Sequence, residues 1–175
     1  MAIKLFLVIP CYNEEEVIGE TNKRLKDKMN NLIKQDKISS DSKIVYVNDG
    51  SKDNTWNLIS KMHDEDNMVL GICLSRNKGH QNALLAGLMT VKDLCDVAIS
   101  LDADLQDDIG AIDKMVDKYL EGKDIVYGVR SSRKTDTFFK RSTAQGFYKV
   151  MNVLGVEVVY IFCSKRSFRR DRARQ

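Results

Sequence analysis

Hydrophobic and polar positions along this chain repeat in one order: a short apolar run, a polar turn, then a longer segment with helical spacing. Residues 4–9 form a continuous apolar run, as expected of a strand covered on both faces. From Glu14 to Ile33 the positions Val17, Ile18, Leu25, Met29, Leu32 and Ile33 fall near one face of a helix. Asn13 followed by Glu16 has the spacing of a capping box, with Asn in place of Ser or Thr. Four more strands are predicted over 43–47, 68–74, 97–101 and 125–129. Helices are predicted over 53–63, 79–94, 109–120 and 137–154, the last two closed by Gly122 and Gly155. No repeat or low-complexity tract breaks the order.

This alternation predicts an α/β fold: a mostly parallel sheet with helices on both faces. Ligands of such sheets bind at the carboxyl ends of the strands. That rule gives weight to the residues just after each run. Asp102 and Asp104 follow a strand of Val, Ala, Ile and Leu. At i and i+2 in extended backbone their carboxylates point to the same side. A hard divalent cation is commonly held by one or two carboxylates together with substrate phosphates. Gln106 and Asp107 stand near enough in sequence to add a ligand or orient the first ones. A solvated acidic turn is the plain alternative, and the buried strand before the pair favours the metal.

The other strand ends leave two readings each. Asn48-Asp49-Gly50-Ser51 is ordinary turn chemistry, and Asp49 is equally an acceptor for a nucleobase or ribose. Tyr12 suits stacking on a base or a core position with a wet hydroxyl. Arg76 and Lys78, ahead of a helix N-terminus, suit a phosphate or form a basic loop. His63 and His80 read as structural or surface residues. No GxGxxG follows the first strand and no GxxxxGK[ST] occurs, which disfavours dinucleotide binding and P-loop hydrolysis.

Composition changes this picture little. With 175 residues the chain is expected to form one main domain. A net charge of +3 is too weak to argue for nucleic acid. The cysteines Cys11, Cys73, Cys95 and Cys163 have no metal-ligand spacing and read as buried reduced thiols. The N-terminal apolar run is too short for a signal peptide, and no run of apolar residues reaches membrane-spanning length.

Five segments carry a resemblance when taken in order. They are Val8-Ile9-Pro10-Cys11-Tyr12-Asn13-Glu14, Val47-Asn48-Asp49-Gly50-Ser51, Ser75-Arg76-Asn77-Lys78-Gly79-His80-Gln81, Leu101-Asp102-Ala103-Asp104-Leu105-Gln106-Asp107 and Tyr127-Gly128-Val129-Arg130. Together they resemble glycosyltransferase family 2, with its GT-A fold. The stretches 135–141 and 145–148 are similar to polyprenyl-phosphate glycosyltransferases, including bactoprenol glucosyltransferases and dolichol-phosphate mannose synthases. The resemblance implies that Pro10, Tyr12 and Glu14 line a nucleoside pocket and that Asp49 contacts the base or ribose. It implies that Asp102, Asp104 and Gln106 hold Mg2+ or Mn2+ and the donor diphosphate. Arg130 would face the acceptor phosphate or the donor diphosphate, with Arg133 and Arg141 as further candidates. Asp104 and Arg130 are the implied catalytic pair.

The implied reaction moves a hexose from UDP-glucose or a similar donor to a polyprenyl phosphate such as undecaprenyl phosphate, with inversion. Its setting would be cell-envelope or surface-polysaccharide glycosylation at the cytoplasmic face of a membrane, touched peripherally. An oligomer is compatible with the sequence. The resemblance covers residues 3 to about 159, the expected donor-binding domain. Residues 160–175 read as a basic tail, disordered or non-native, on a chain that looks truncated. Phe162 and Phe168 in that tail suit contact with anionic headgroups as the lesser reading. If the acceptor half is missing, the alternatives are a nucleotide-sugar-binding module without transfer activity or a free cytoplasmic chain. A sugar nucleotidyltransferase is a third reading, but it would need a glycine-rich loop where Pro10 to Glu14 stand.

Overall fold

The computed structural model describes residues 2–104, 109–128 and 160–164. The described residues form six strands and four helices, alternating as far as β5: β1 Leu5–Cys11, α1 Ile18–Lys34, β2 Lys43–Asn48, α2 Thr55–Glu65, β3 Val69–Cys73, α3 His80–Val91, β4 Val97–Ser100, α4 Ala111–Leu120, β5 Ile125–Gly128 and β6 Tyr160–Ser164. The strands form one sheet in the order β3-β2-β1-β4-β6-β5. β1 pairs in parallel with β2 and β4, and β2 pairs in parallel with β3. β6 runs antiparallel to both β4 and β5.

The expected α/β architecture is therefore present, with one addition. Tyr160–Ser164, expected in the tail, is a strand lying between β4 and β5. Residues 165–175 and the helix expected over 137–154 lie outside the described residues. No described helix is long and apolar enough to cross a membrane.

Alternation along β1 divides the core. Leu5, Leu7, Ile9 and Cys11 face one side, with Ile44 and Tyr46 of β2, Ile18, Leu25, Met29 and Leu32 of α1, Ile59 of α2, and Ile112 and Val116 of α4. Phe6 and Val8 face the other side, with Val45, Val47 and, from α3, Ala83, Leu88 and Val91. Each fully buried aliphatic side chain of this kind contributes roughly 1.5–3 kcal/mol relative to exposure. On the second side Gly87 lets α3 approach the sheet, because a Cβ there would meet Val8 Cγ1 at 2.6 Å and Val47 Cγ2 at 2.7 Å.

Pro10 sits in a central strand without breaking the ladder. The Val8 carbonyl accepts from Leu101 N–H, so even positions of β1 bond toward β4. The register with β4 ends at Val8 opposite Ser100, leaving the missing N–H of Pro10 beyond the paired region.

Two expectations change. The capping box does not form: α1 begins at Ile18, and its N-cap, Val17, makes no side-chain capping bond. Asn13 adopts a φ of 56° and its side chain accepts from Lys52 N–H at 2.9 Å instead. Cys11 and Cys95 are buried thiols, but Cys73 is exposed at the end of β3, the edge strand of the sheet among the described residues. Burial, reinforced by Glu14, pushes the Cys11 thiol above its ordinary range, so it stays protonated and inert.

Candidate functional site: the carboxyl ends of β1, β2 and β4

From β1 the chain moves outward through β2 to β3, then returns to place β4 on the other flank of β1. Connections leave β1 and β4 in opposite directions, which makes their carboxyl ends the switch point where sheets of this kind form a ligand crevice. The β1–α1 loop carrying Tyr12 and Glu14 borders it on one side. The Asp102-Ala103-Asp104 turn borders it on the other.

Each border is fixed by side chains distant in sequence. Thr21 on the first turn of α1 donates its hydroxyl to the Ala103 carbonyl at 2.6 Å in a buried contact. Ala103 itself is 4% exposed and packs in the core. The middle residue of the turn is thus anchored inward, while the Asp102 side chain keeps 44% exposure. The β1–α1 loop is laced to the β2–α2 loop. Asn13 N–H donates to Ser51 Oγ, Glu14 N–H to Thr55 Oγ1 and Glu15 N–H to Asp53 Oδ2, at 3.0, 2.8 and 3.1 Å. Thr55 in turn donates its hydroxyl to Asp53 Oδ1 at 2.6 Å. Desolvation raises the Asp53 carboxyl, but the bonds from Thr55 and Glu15 outweigh it and hold Asp53 below the ordinary carboxylate range.

Electrostatics tie the two borders together. The Glu14 carboxyl is raised by burial, then by the fields of Asp104, Asp53 and Asp102. Negative charge accumulates at this crevice, and a cation is what relieves it. No three His, Cys, Asp or Glu side chains among the described residues converge tightly enough to hold a metal by themselves. Two solvent-accessible aspartates with all-oxygen donors do fit the mode in which a divalent cation takes its remaining ligands from a diphosphate and water. Gln106, the third expected ligand, lies outside the described residues, as do Arg130, Arg133 and Arg141.

The remaining expected residues are placed as follows. Pro10 is buried in β1, and Tyr12 stands 39% exposed just beyond it, available to a planar ligand. Asp49 is 2% exposed. Its two oxygens accept Lys78 N–H at 2.7 Å and Gly79 N–H at 2.8 Å, so it braces the β3–α3 loop. Gly50 beside it has φ +66°, and its α-carbon lies against the Arg76–Asn77 backbone. The same bracing sets the start of α3. His80, read from sequence as a structural or surface residue, places Nε2 3.8 Å from Asp102 Oδ1. His63 is structural, with Nδ1 2.7 Å from the Val69 carbonyl. Thr21 and Thr55 carry no sequence signal of their own, since each acts through a partner far along the chain.

The sequence model of glycosyl transferase family 2 matches residues 6–175. The chain belongs to glycosyl transferase family 2. Among curated members of the family, the uncharacterized glycosyltransferase YkoT of Bacillus subtilis (strain 168) is 54% identical over 156 residues, covering 89% of this chain and 46% of that protein. The bactoprenol glucosyl transferase of Shigella phage SfV is 38% identical over 150 residues, covering 86% of this chain and 46% of that protein. The chain spans about half the length of these family 2 relatives. In fold it is similar to glucosyl-3-phosphoglycerate synthase from Mycobacterium tuberculosis in complex with UDP, with a TM-score of 0.61 at 17% identity, covering 94% of this chain and 57% of that one. Mannosyl-3-phosphoglycerate synthase from Rubrobacter xylanophilus gives a TM-score of 0.62 at 14% identity, covering 93% and 53%. These neighbours agree with the GT-A fold expected of a family 2 member.

Proposed function

We propose that this chain forms the donor-binding part of an inverting hexosyltransferase. It takes a nucleotide-diphosphate sugar such as UDP-glucose and serves transfer to a polyprenyl phosphate at the cytoplasmic face of a membrane. The observation that carries this reading is the Asp102-Ala103-Asp104 turn, anchored through its middle residue by Thr21 and near enough to Glu14 for both aspartates to raise its carboxyl. The 38% identity to bactoprenol glucosyl transferase supports the lipid-phosphate acceptor and the glucosyl donor.

In this reading Tyr12 stacks on the base, with Pro10 and Glu14 shaping the nucleoside pocket. Asp102 and Asp104, with Gln106, would hold Mg2+ or Mn2+ beside the donor diphosphate. When bound, such a cation would neutralise charge on the departing diphosphate. Arg130, with Arg133 and Arg141, pairs with phosphate oxygens of the acceptor or donor through the planar guanidinium fork. An oxygen of the acceptor phosphate forms the bond to the anomeric carbon while the bond to the diphosphate breaks on the opposite face. A phosphate monoester has its second pKa near 6, so it is already largely dianionic at neutral pH and needs no strong base.

Calorimetry with UDP-glucose and Mn2+, run beside a transfer assay with undecaprenyl phosphate, tests the proposal. Metal-dependent binding with transfer is expected. Binding without transfer assigns the chain the donor-binding role alone, and absence of both overturns the reading.

A further inference from the structure

His80 has no assigned part in the site, yet the fold aims it there. It is the first residue of α3, and Gly79 immediately before it is the helix N-cap. The Asp49 carboxylate fixes that approach by accepting the N–H groups of Lys78 and Gly79. Gly50 presses on the same loop, since a Cβ there would meet the Arg76 carbonyl carbon and Asn77 N at 2.6 Å. Downstream, Gly87 keeps α3 tight on Val8 and Val47. The start of α3 is therefore held at its loop and along its body. It presents the His80 imidazole to the mouth of the crevice, where Nε2 lies 3.8 Å from Asp102 Oδ1.

Carboxylates that bind a cation are commonly oriented by a hydrogen-bond donor outside the coordination sphere, and losing that donor typically lowers metal affinity about 10–100-fold. We propose that His80 is a positioning residue for Asp102. Its ring N–H steers one oxygen of the carboxylate so that the other faces the cation and the donor diphosphate. The gap of 3.8 Å is longer than a direct hydrogen bond, and a small turn of the imidazole, which is 57% exposed, closes it. The buried Asp49 acts one step further out, by setting where α3 begins. This inference rests on the donor-site reading above.

The test is Mn2+ affinity in the presence of UDP-glucose, measured by calorimetry on the full chain, with thermal melts of every variant. His80→Leu is expected to weaken Mn2+ binding about tenfold without lowering the melting temperature. His80→Gln, whose amide nitrogen reaches a similar place, is expected to restore most of that affinity. Equal affinity in His80→Leu and parent overturns the inference and leaves the donor site standing. A loss that tracks melting temperature and is not rescued by Gln assigns His80 to the fold alone and also overturns it. If the parent shows no Mn2+-dependent binding, the donor-site reading and this inference fall together.

Discussion

Two acidic turns flank β1, and they use the same chemistry in opposite ways. Asp49 follows β2 and is buried, with both oxygens engaged by backbone N–H groups of the next loop. Asp102 follows β4 and keeps nearly half of its side-chain exposure, beside Asp104 and opposite Glu14. One carboxylate is part of the protein's own scaffold. The other belongs to a concentration of negative charge left open to solvent. A carboxylate at a strand end is thus not a function in itself; what its oxygens face decides its role.

The contrast predicts that changes at the β2 turn cost stability while changes at the β4 turn cost ligand binding. The largest effect is expected at Gly50→Ala, which combines positive φ with a Cβ forced into backbone atoms at 2.6 Å. A loss of about 3 kcal/mol is expected in urea denaturation. Asp49→Ala should follow at about 2 kcal/mol, moderated because Lys78 and Gly79 lie on an exposed loop where water replaces the lost acceptor. If Asp49→Ala left stability unchanged while removing donor binding, the contrast would fail, because Asp49 would then be a ligand contact.

Thr21→Val tests the join between scaffold and site. The buried bond to the Ala103 carbonyl is worth about 1 kcal/mol, and its loss should also weaken Mn2+-dependent UDP-glucose binding by loosening the turn. Asp104→Ala should change stability by less than about 0.5 kcal/mol and abolish that binding. Measuring melting temperature and donor affinity on the same samples separates the two outcomes.

The smallest effect concerns Glu14. Its folded pKa is raised, first by burial and then by Asp104, Asp53 and Asp102. The folded state therefore binds this proton more tightly than the unfolded state. The stability linked to it is complete below the ordinary glutamate pKa and is lost as pH rises through the raised one. Glu14→Gln should accordingly melt slightly higher than the parent near neutral pH without metal. That advantage should vanish as pH falls toward about 4. A Glu14→Gln melting temperature equal to the parent's at every pH would show that the crevice charges do not act on Glu14.

The order of strands and helices was readable along the chain because periodicity is a local property. Val17 to Ile33 and the alternating residues of β1 report their buried faces through neighbours only a few positions away. The same holds for the placement of Asp102 and Asp104 after a buried strand, and for the buried thiols of Cys11 and Cys95. What tertiary structure decided are the pairings between distant positions. Asn13 was free, on sequence, to cap α1, but Lys52 offered its side chain a partner and the helix began at Ile18. Cys73 sits in an apolar run, and only the strand order put that run at the edge of the sheet. The inward turn of Asp49, the bond between Thr21 and Ala103, and the approach of His80 to Asp102 all join residues more than a helix apart. A carboxylate's neighbours are chosen by the packing of whole elements, so the sequence determined which acidic turns exist and the fold determined which of them is engaged by its own backbone and which stays open to solvent.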